Sequence, residues 1–171
     1  MEILRTQRLR LREFTPGDAA FILELVNDPD WHRYINDPGV RNEGQALNWM
    51  ESRLFEPYQR LGHGFWAVER LTDGELLGMC GIFKRDSLPE VDLGYGFLAR
   101  HRGQGYAWEA AQACLRHGHE VLGMNTLLAI TDPANAASMK LLLGLGMLDQ
   151  GLLPTPEGEP RSRLFRWDAA A

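Results

Sequence analysis

The residues best suited to chemistry sit in one turn, Arg100-His101-Arg102-Gly103-Gln104-Gly105. An apolar run ending in Gly96-Phe97-Leu98 leads into it, and Tyr106-Ala107-Trp108 opens a helix-like stretch to Leu122. A strand, a basic glycine-rich turn and a helix in that order are suited to holding an anion. Glycine at 103 and 105 lets the backbone approach a ligand closely. The first N–H groups of a helix have no internal partner, and the dipole behind them favours phosphate oxygens. Arg100 and Arg102 add positive charge beside the turn.

Two other anion-binding loops are set aside. A nucleoside-triphosphate loop needs Gly-x-x-x-x-Gly-Lys followed by Ser or Thr, which the chain lacks. Gly94-Tyr95-Gly96-Phe97-Leu98-Ala99 does fit the dinucleotide pattern, and Glu120 follows at roughly the expected 20 residues. Yet Phe97-Leu98 continue an apolar strand, so no helix opens at the second glycine. Glu120 ends a helix, where the fingerprint needs an acid at the end of the next strand.

The elements that must position this turn can be read from period and punctuation. Leu4 to Phe14, with Arg8-Leu9-Arg10-Leu11-Arg12 in strict alternation, predicts a first strand with one wet face. Thr15-Pro16-Gly17-Asp18 starts a helix that buries Phe21, Ile22, Leu25 and Val26. Residues 28–41 form a loop whose Trp31, Tyr34 and Ile35 must pack on something, either closing over a substrate or tucking a short helix on the core. A second helix spans about 43–60 with Leu47, Met50 and Leu54 on one face, kinked or shortened by Pro57. Phe65–Arg70, Glu75–Phe83 and Val91–Leu98 form an antiparallel meander, with Thr72-Asp73-Gly74 as its first turn. After the central helix, Thr126–Thr131 returns as a strand parallel to the third of these, so the sheet is mixed. Asn135 caps a helix that ends at Gly144 or Gly146; Met147–Leu153 and Arg163–Trp167 are the last strands, separated by a loop over 154–160.

Composition narrows the class. A chain of 171 residues suggests one domain, residues 1–171, and 44% hydrophobic with 24% charged residues is ordinary for a globular protein. The net charge of −5 argues against a nucleic-acid partner, which needs a basic footprint, and is compatible with a cationic one. No apolar run approaches the roughly 20 residues of a membrane helix, so no membrane partner is expected. The N-terminus shows no apolar core of a secretory signal, and a cytoplasmic location is the default expectation. Cys80 and Cys114 fit reduced thiols there. No His/Cys cluster has zinc spacing, and His117 and His119 point to different helix faces, so no metal is expected.

Arg100-x-x-Gly103-x-Gly105 resembles the Arg/Gln-x-x-Gly-x-Gly/Ala signature of the GNAT superfamily of acetyl-CoA-dependent N-acetyltransferases. Three further matches in the right order resemble its RimJ/RimL-type branch across nearly the whole chain. They are Leu4-Arg5-Thr6-Gln7-Arg8-Leu9-Arg10-Leu11-Arg12, Asp92-Leu93-Gly94-Tyr95 and Asn135-Ala136-Ala137-Ser138. Met147 stands where the family usually has Phe after the glycine. The resemblance implies an α/β (α+β) GNAT fold: a central mixed, mostly antiparallel sheet of about seven strands, flanked by about four helices and splayed between strands four and five.

It also implies a mechanism. The pantetheine arm would pair with strand backbone near Phe97 and Leu98, and the pyrophosphate would meet N–H groups across Arg102, Gly103, Gln104, Gly105, Tyr106 and Ala107. Asn135 caps its helix and could bond pantetheine. Ser138 would protonate the departing thiolate, or serve only the helix start. Asp92 matches the family's strand-four carboxylate and would take the amine proton through water, or merely pair with a neighbouring arginine; Glu90, on the same strand face, is the reserve. The acceptor is a protein N-terminus or a small amine, and the protein is a monomer or homodimer. The rival is a non-catalytic acyl-CoA-binding module on the same fold. Asp28, Asp30, Asp37 and Glu43 would attract a cation or simply be solvated.

Overall fold

A computed structural model of the chain describes residues 1–153 and 162–170. The expected loop over 154–160 lies outside them. The first element is a hairpin, not one strand: β1 (Glu2–Arg5) and β2 (Leu9–Arg12) pair antiparallel about a turn at Thr6-Gln7-Arg8. The alternation seen in the sequence belongs to β2, where Leu9 and Leu11 are fully buried. This division raises the strand count among the described residues to eight, in the order β1-β2-β3-β4-β5-β6-β8-β7. The remaining strands are β3 (Phe65–Arg70), β4 (Leu76–Phe83), β5 (Asp92–Phe97), β6 (Thr126–Thr131), β7 (Leu148–Leu152) and β8 (Arg163–Asp168). All pairings are antiparallel except β5 with β6.

The helices cover both faces. On one lie α1 (Ala19–Leu25), α2 (Pro29–Tyr34), α3 (Glu43–Met50) and α4 (Glu56–Leu61); the other carries α5 (Tyr106–Glu120), and α6 (Ala136–Gly144) follows β6. The aromatic loop holds a short helix, since α2 buries Trp31 on the core, but only part of its apolar area packs: Tyr34 is half-buried and Ile35, just past the helix, is 51% exposed. Alternate residues of β3 divide between the two cores: Trp66 and Val68 pack towards α5, Ala67 towards Ile22, Met50 and Leu54.

The predicted helix over 43–60 is interrupted by a π turn at Glu51–Phe55. Pro57 has no N–H to donate back, and widening the preceding turn absorbs the mismatch. The buried stripe also differs from the expected one. Ala46, Met50 and Leu54 face the core, whereas Leu47 is exposed.

The feature that positions the site is the parallel junction. β5 and β6 share one register pair, Asp92 opposite Leu128, where Leu128 N–H donates to Val91 O at 2.9 Å. Beyond it the strands part, as the splay between the fourth and fifth expected strands requires. Leu98 N–H donates back to Leu77 O, so the alternate amides at Tyr95 and Phe97 turn to the open side.

Candidate active site

The glycine turn lies at the end of this open edge. Gly103 (φ 77°) and Gly105 (φ 82°) both occupy left-handed backbone that a Cβ disfavours. Ala99–His101 form one 3-10 turn, and Gly105 then serves as the N-cap of α5. Arg102 N–H donates to Ala99 O at 3.2 Å, so it is already engaged. From Gly103 to Trp108, no backbone N–H meets a protein acceptor among the described residues. That run of donors heads a helix of 15 residues, an arrangement suited to an anion.

The turn's arginines point elsewhere, contrary to the expectation of free positive charge. Arg102 donates to Asp28 at 2.7 Å, Asp30 at 2.6 Å and the Phe97 carbonyl at 2.8 Å, which ties the turn to α2. Arg100 pairs with Glu24 and Glu75. Asp28, Asp30 and Asp37 are therefore spent on Arg102 and Arg41 and form no open cation site.

The cation beside the turn comes instead from Arg8. Its guanidinium lies 4.4 Å from the centroid of the buried Tyr106 ring, donates to the Gln104 carbonyl at 2.9 Å and pairs with Glu109 at 2.7 Å. Thr6 Oγ and Arg8 N–H also donate to Glu109. The opening Thr-x-Arg motif thus clamps the start of α5 onto the β1–β2 turn. Sequence reasoning did not single out Glu109, although an acid in the first turn of that helix was visible. Beside the clamp, a groove of about 600 Å³ runs along α5 from Thr6 to Glu120; it touches the turn at Gly105.

Asp92, Gly94 and Gly96 share the β5 face that looks towards α1–α4, with Trp31 over Gly96 and Phe65 over Gly94. Phe65 stacks on Phe83 with ring centroids 5.5 Å apart. Asp92 is 1% exposed, and both its oxygens accept from Arg85, at 3.0 and 2.9 Å. Burial pushes its carboxyl above the ordinary value, and Arg85 pulls it back. Glu90 is exposed and precedes the strand.

On the opposite face, Leu93 and Phe97 are buried under α5, while Tyr95 reaches α6. Asn135 is the N-cap of α6 and accepts from Ser138 N–H at 3.2 Å. The Ser138 hydroxyl is 2.7 Å from the Tyr95 hydroxyl. Ala107 is half-buried in the first turn of α5, and Leu98 is buried on the side of α1–α4. The turn thus follows the open edge of β5 directly, and Tyr95 ties that edge to the start of α6. Asp92 borders the gap between β5 and β6 through its pairing opposite Leu128.

Comparison with known proteins gives the same answer. The family model for the acetyltransferase (GNAT) domain matches residues 8–148. The uncharacterized protein YkkB of Bacillus subtilis is 35% identical over 149 residues, 84% of each chain. The uncharacterized N-acetyltransferase p20 of Bacillus licheniformis is 30% identical over 90% of this chain and 86% of its own. RimL, described as a ribosomal L7/L12 alpha-N-protein acetyltransferase in complex with coenzyme A, has the same fold, with a TM-score of 0.84 at 14% identity over 99% of this chain and 98% of its own. A match across most of the sequence, with the family's anion turn in place at the head of α5, makes this chain a member of the GNAT family and an N-acetyltransferase.

Proposed function

We propose that the enzyme moves acetyl from acetyl-CoA directly onto an α-amino group, that of a peptide N-terminus or a small molecule. The observation that carries this is the run of N–H groups from Gly103 to Trp108, without a protein acceptor among the described residues, just past the end of β5 where it has parted from β6. Gly103, Gln104, Gly105, Tyr106 and Ala107 hold the pyrophosphate through backbone. Phe97 offers its amide to the pantetheine arm; Leu98, whose N–H is bonded to Leu77, lines the path. Arg102 acts through its side chain, holding the turn against α2. Asn135 presents the first turn of α6, and Ser138 donates a hydrogen bond to the departing sulfur.

The preference for an α-amine follows from Asp92. Burial raises the Asp92 carboxyl above the ordinary aspartate range, yet Arg85 holds both its oxygens, and a carboxylate remains a far weaker base than a lysine amine. Asp92 can relay a proton through water but cannot strip a strongly basic amine. An α-amine of pKa about 7.7–8.0 is substantially neutral at physiological pH, whereas a lysine amine of about 10.4 is neutral only to about one part in a thousand. The acidic residues of α2 are occupied by arginines, which also disfavours a polyamine. RimL, which shares the fold, is described as acting on an α-amine.

The test is thiol release from acetyl-CoA with three acceptor sets: peptides with free N-termini, the same peptides N-blocked but carrying lysine, and spermidine. Turnover is expected with the first set alone. Equal turnover on the blocked lysine peptides would refute the α-amine assignment, and silence on every amine would refute the reaction.

A further inference from the structure

We propose that Tyr95 is a positioning residue for acyl transfer: its hydroxyl donates to Ser138 Oγ and leaves the serine proton free to point at the thioester sulfur. The inference rests on the role given to Ser138 above. Tyr95 was visible in the sequence only as part of a motif match. The structure has its hydroxyl bridging β5, beyond that strand's single register pair with β6, to the first turn of α6.

Two hydrogen-bond arrangements are available, because each hydroxyl has one proton and can accept. In one, Tyr95 donates to Ser138 Oγ at 2.7 Å. In the other, Ser138 donates to Tyr95, whose proton is left for the Ser138 carbonyl at 3.3 Å. The latter contact lies beyond the roughly 2.5–3.0 Å of a good O–H···O bond. The first arrangement keeps the short bond and frees the serine proton. It also removes one direction from an otherwise freely turning hydroxyl. Donation into the serine oxygen polarises its O–H, a cooperative gain of roughly 10–30% per bond. Burial raises the Tyr95 phenol to about 12, so it stays a donor at physiological pH.

The step balances without a proton leaving either side chain. The amine nitrogen bonds to the acetyl carbon, the C–S electron pair departs on sulfur, and the surplus ammonium proton passes to water. The sulfur takes up negative charge and accepts the Ser138 hydrogen bond, which Tyr95 keeps aimed.

The test compares Tyr95→Phe, Ser138→Ala and the double variant, with calorimetry of CoA binding as a control. Tyr95→Phe is expected to lower kcat roughly tenfold, the worth of about one hydrogen bond, with KM for acetyl-CoA and CoA affinity within about twofold. The double variant is expected to be no slower than Ser138→Ala, because Tyr95 acts through Ser138. Unchanged kcat in Tyr95→Phe beside an impaired Ser138→Ala overturns this inference alone. Losses that multiply in the double variant overturn it too, and a silent Ser138→Ala overturns it together with the role of Ser138. Should Tyr95→Phe fold poorly, difluorotyrosine at 95 keeps the shape and lowers the phenol pKa. A fall of kcat as that phenolate forms supports the donor role; a flat profile through its ionisation refutes it.

Discussion

At Gly96 an added Cβ would lie 2.6 Å from Trp31 Cζ3, and at Gly94 one would lie 2.7 Å from Phe65 Cε1. The Gly-x-Gly that mimicked a dinucleotide fingerprint is therefore a floor for two aromatic rings. The motif was legible in the sequence; its reason was not, because both rings come from distant segments. Gly96→Ala is expected to cost about 1–3 kcal/mol by overpacking, read as a lower urea midpoint at unchanged slope. A midpoint equal to wild type would mean that Trp31 moves freely off the strand. Asp92 shows the same limit. Strand alternation places it on the face away from Leu93, as expected, but periodicity says nothing about Arg85 folding back to occupy both carboxylate oxygens. Asn135 was the more transparent case, since capping is local chemistry and the cap is formed.

The elements were legible where one period ran undisturbed, as in α5, β4 and β6, and misread where a local device broke it. A polar turn inside an alternating run made a hairpin of the first strand, and a π turn before Pro57 divided the expected single helix, whose buried stripe carries Ala46 in place of Leu47. The clamp between the β1–β2 turn and α5 was hidden for another reason: Glu109 lies 103 residues from Thr6 and 101 from Arg8, and they meet only in the fold. Glu109 accepts from all three donors while 19% exposed. Glu109→Ala is expected to destabilise the protein by about 1.5–3 kcal/mol, the range for hydrogen bonds to a charged group. Chemical denaturation measures it, and a loss below about 0.5 kcal/mol, the level of an exposed pair, would show the clamp to be ornamental. Thr6→Ala, which removes one donor and no charge, is expected to cost less.

Across the whole molecule, charge pairing sets the response to acid. Burial raises the carboxyls of Asp18, Asp28 and Glu109, but it is outweighed by hydrogen bonds from Arg12, from Arg102, and from Thr6 with Arg8, so all three sit below their ordinary values. Such groups stabilise the fold fully above the unfolded values of about 3.9 and 4.3, and the contribution is lost as pH falls through the lower folded values. Asp92 runs the other way. Its raised value favours the fold below the unfolded pKa, and that advantage is lost as pH rises through the folded one. The exposed Asp37, Asp73, Asp149 and Asp168 are held low by hydrogen bonds as well, so seven lowered carboxyls against one raised predict a Tm that drops on acidification below about pH 4.5. Asp18→Asn is expected to lower Tm at neutral pH and flatten the acid drop; an unaltered slope would mean that Asp18 is not among the groups that titrate on unfolding. At this scale, no helix among the described residues is long and apolar enough to cross a membrane.

The single register pair between β5 and β6 has a consequence for the protein at rest. Two half-sheets joined at one rung can breathe about it, and an extended ligand threaded between them, as proposed above, would act as a removable ninth member of the lattice. Occupancy and rigidity then become a single variable: amide protons along the parted edge should exchange fast in the empty protein and slowly in the loaded one. Hydrogen exchange would thus report filling of the gap without any acceptor being known.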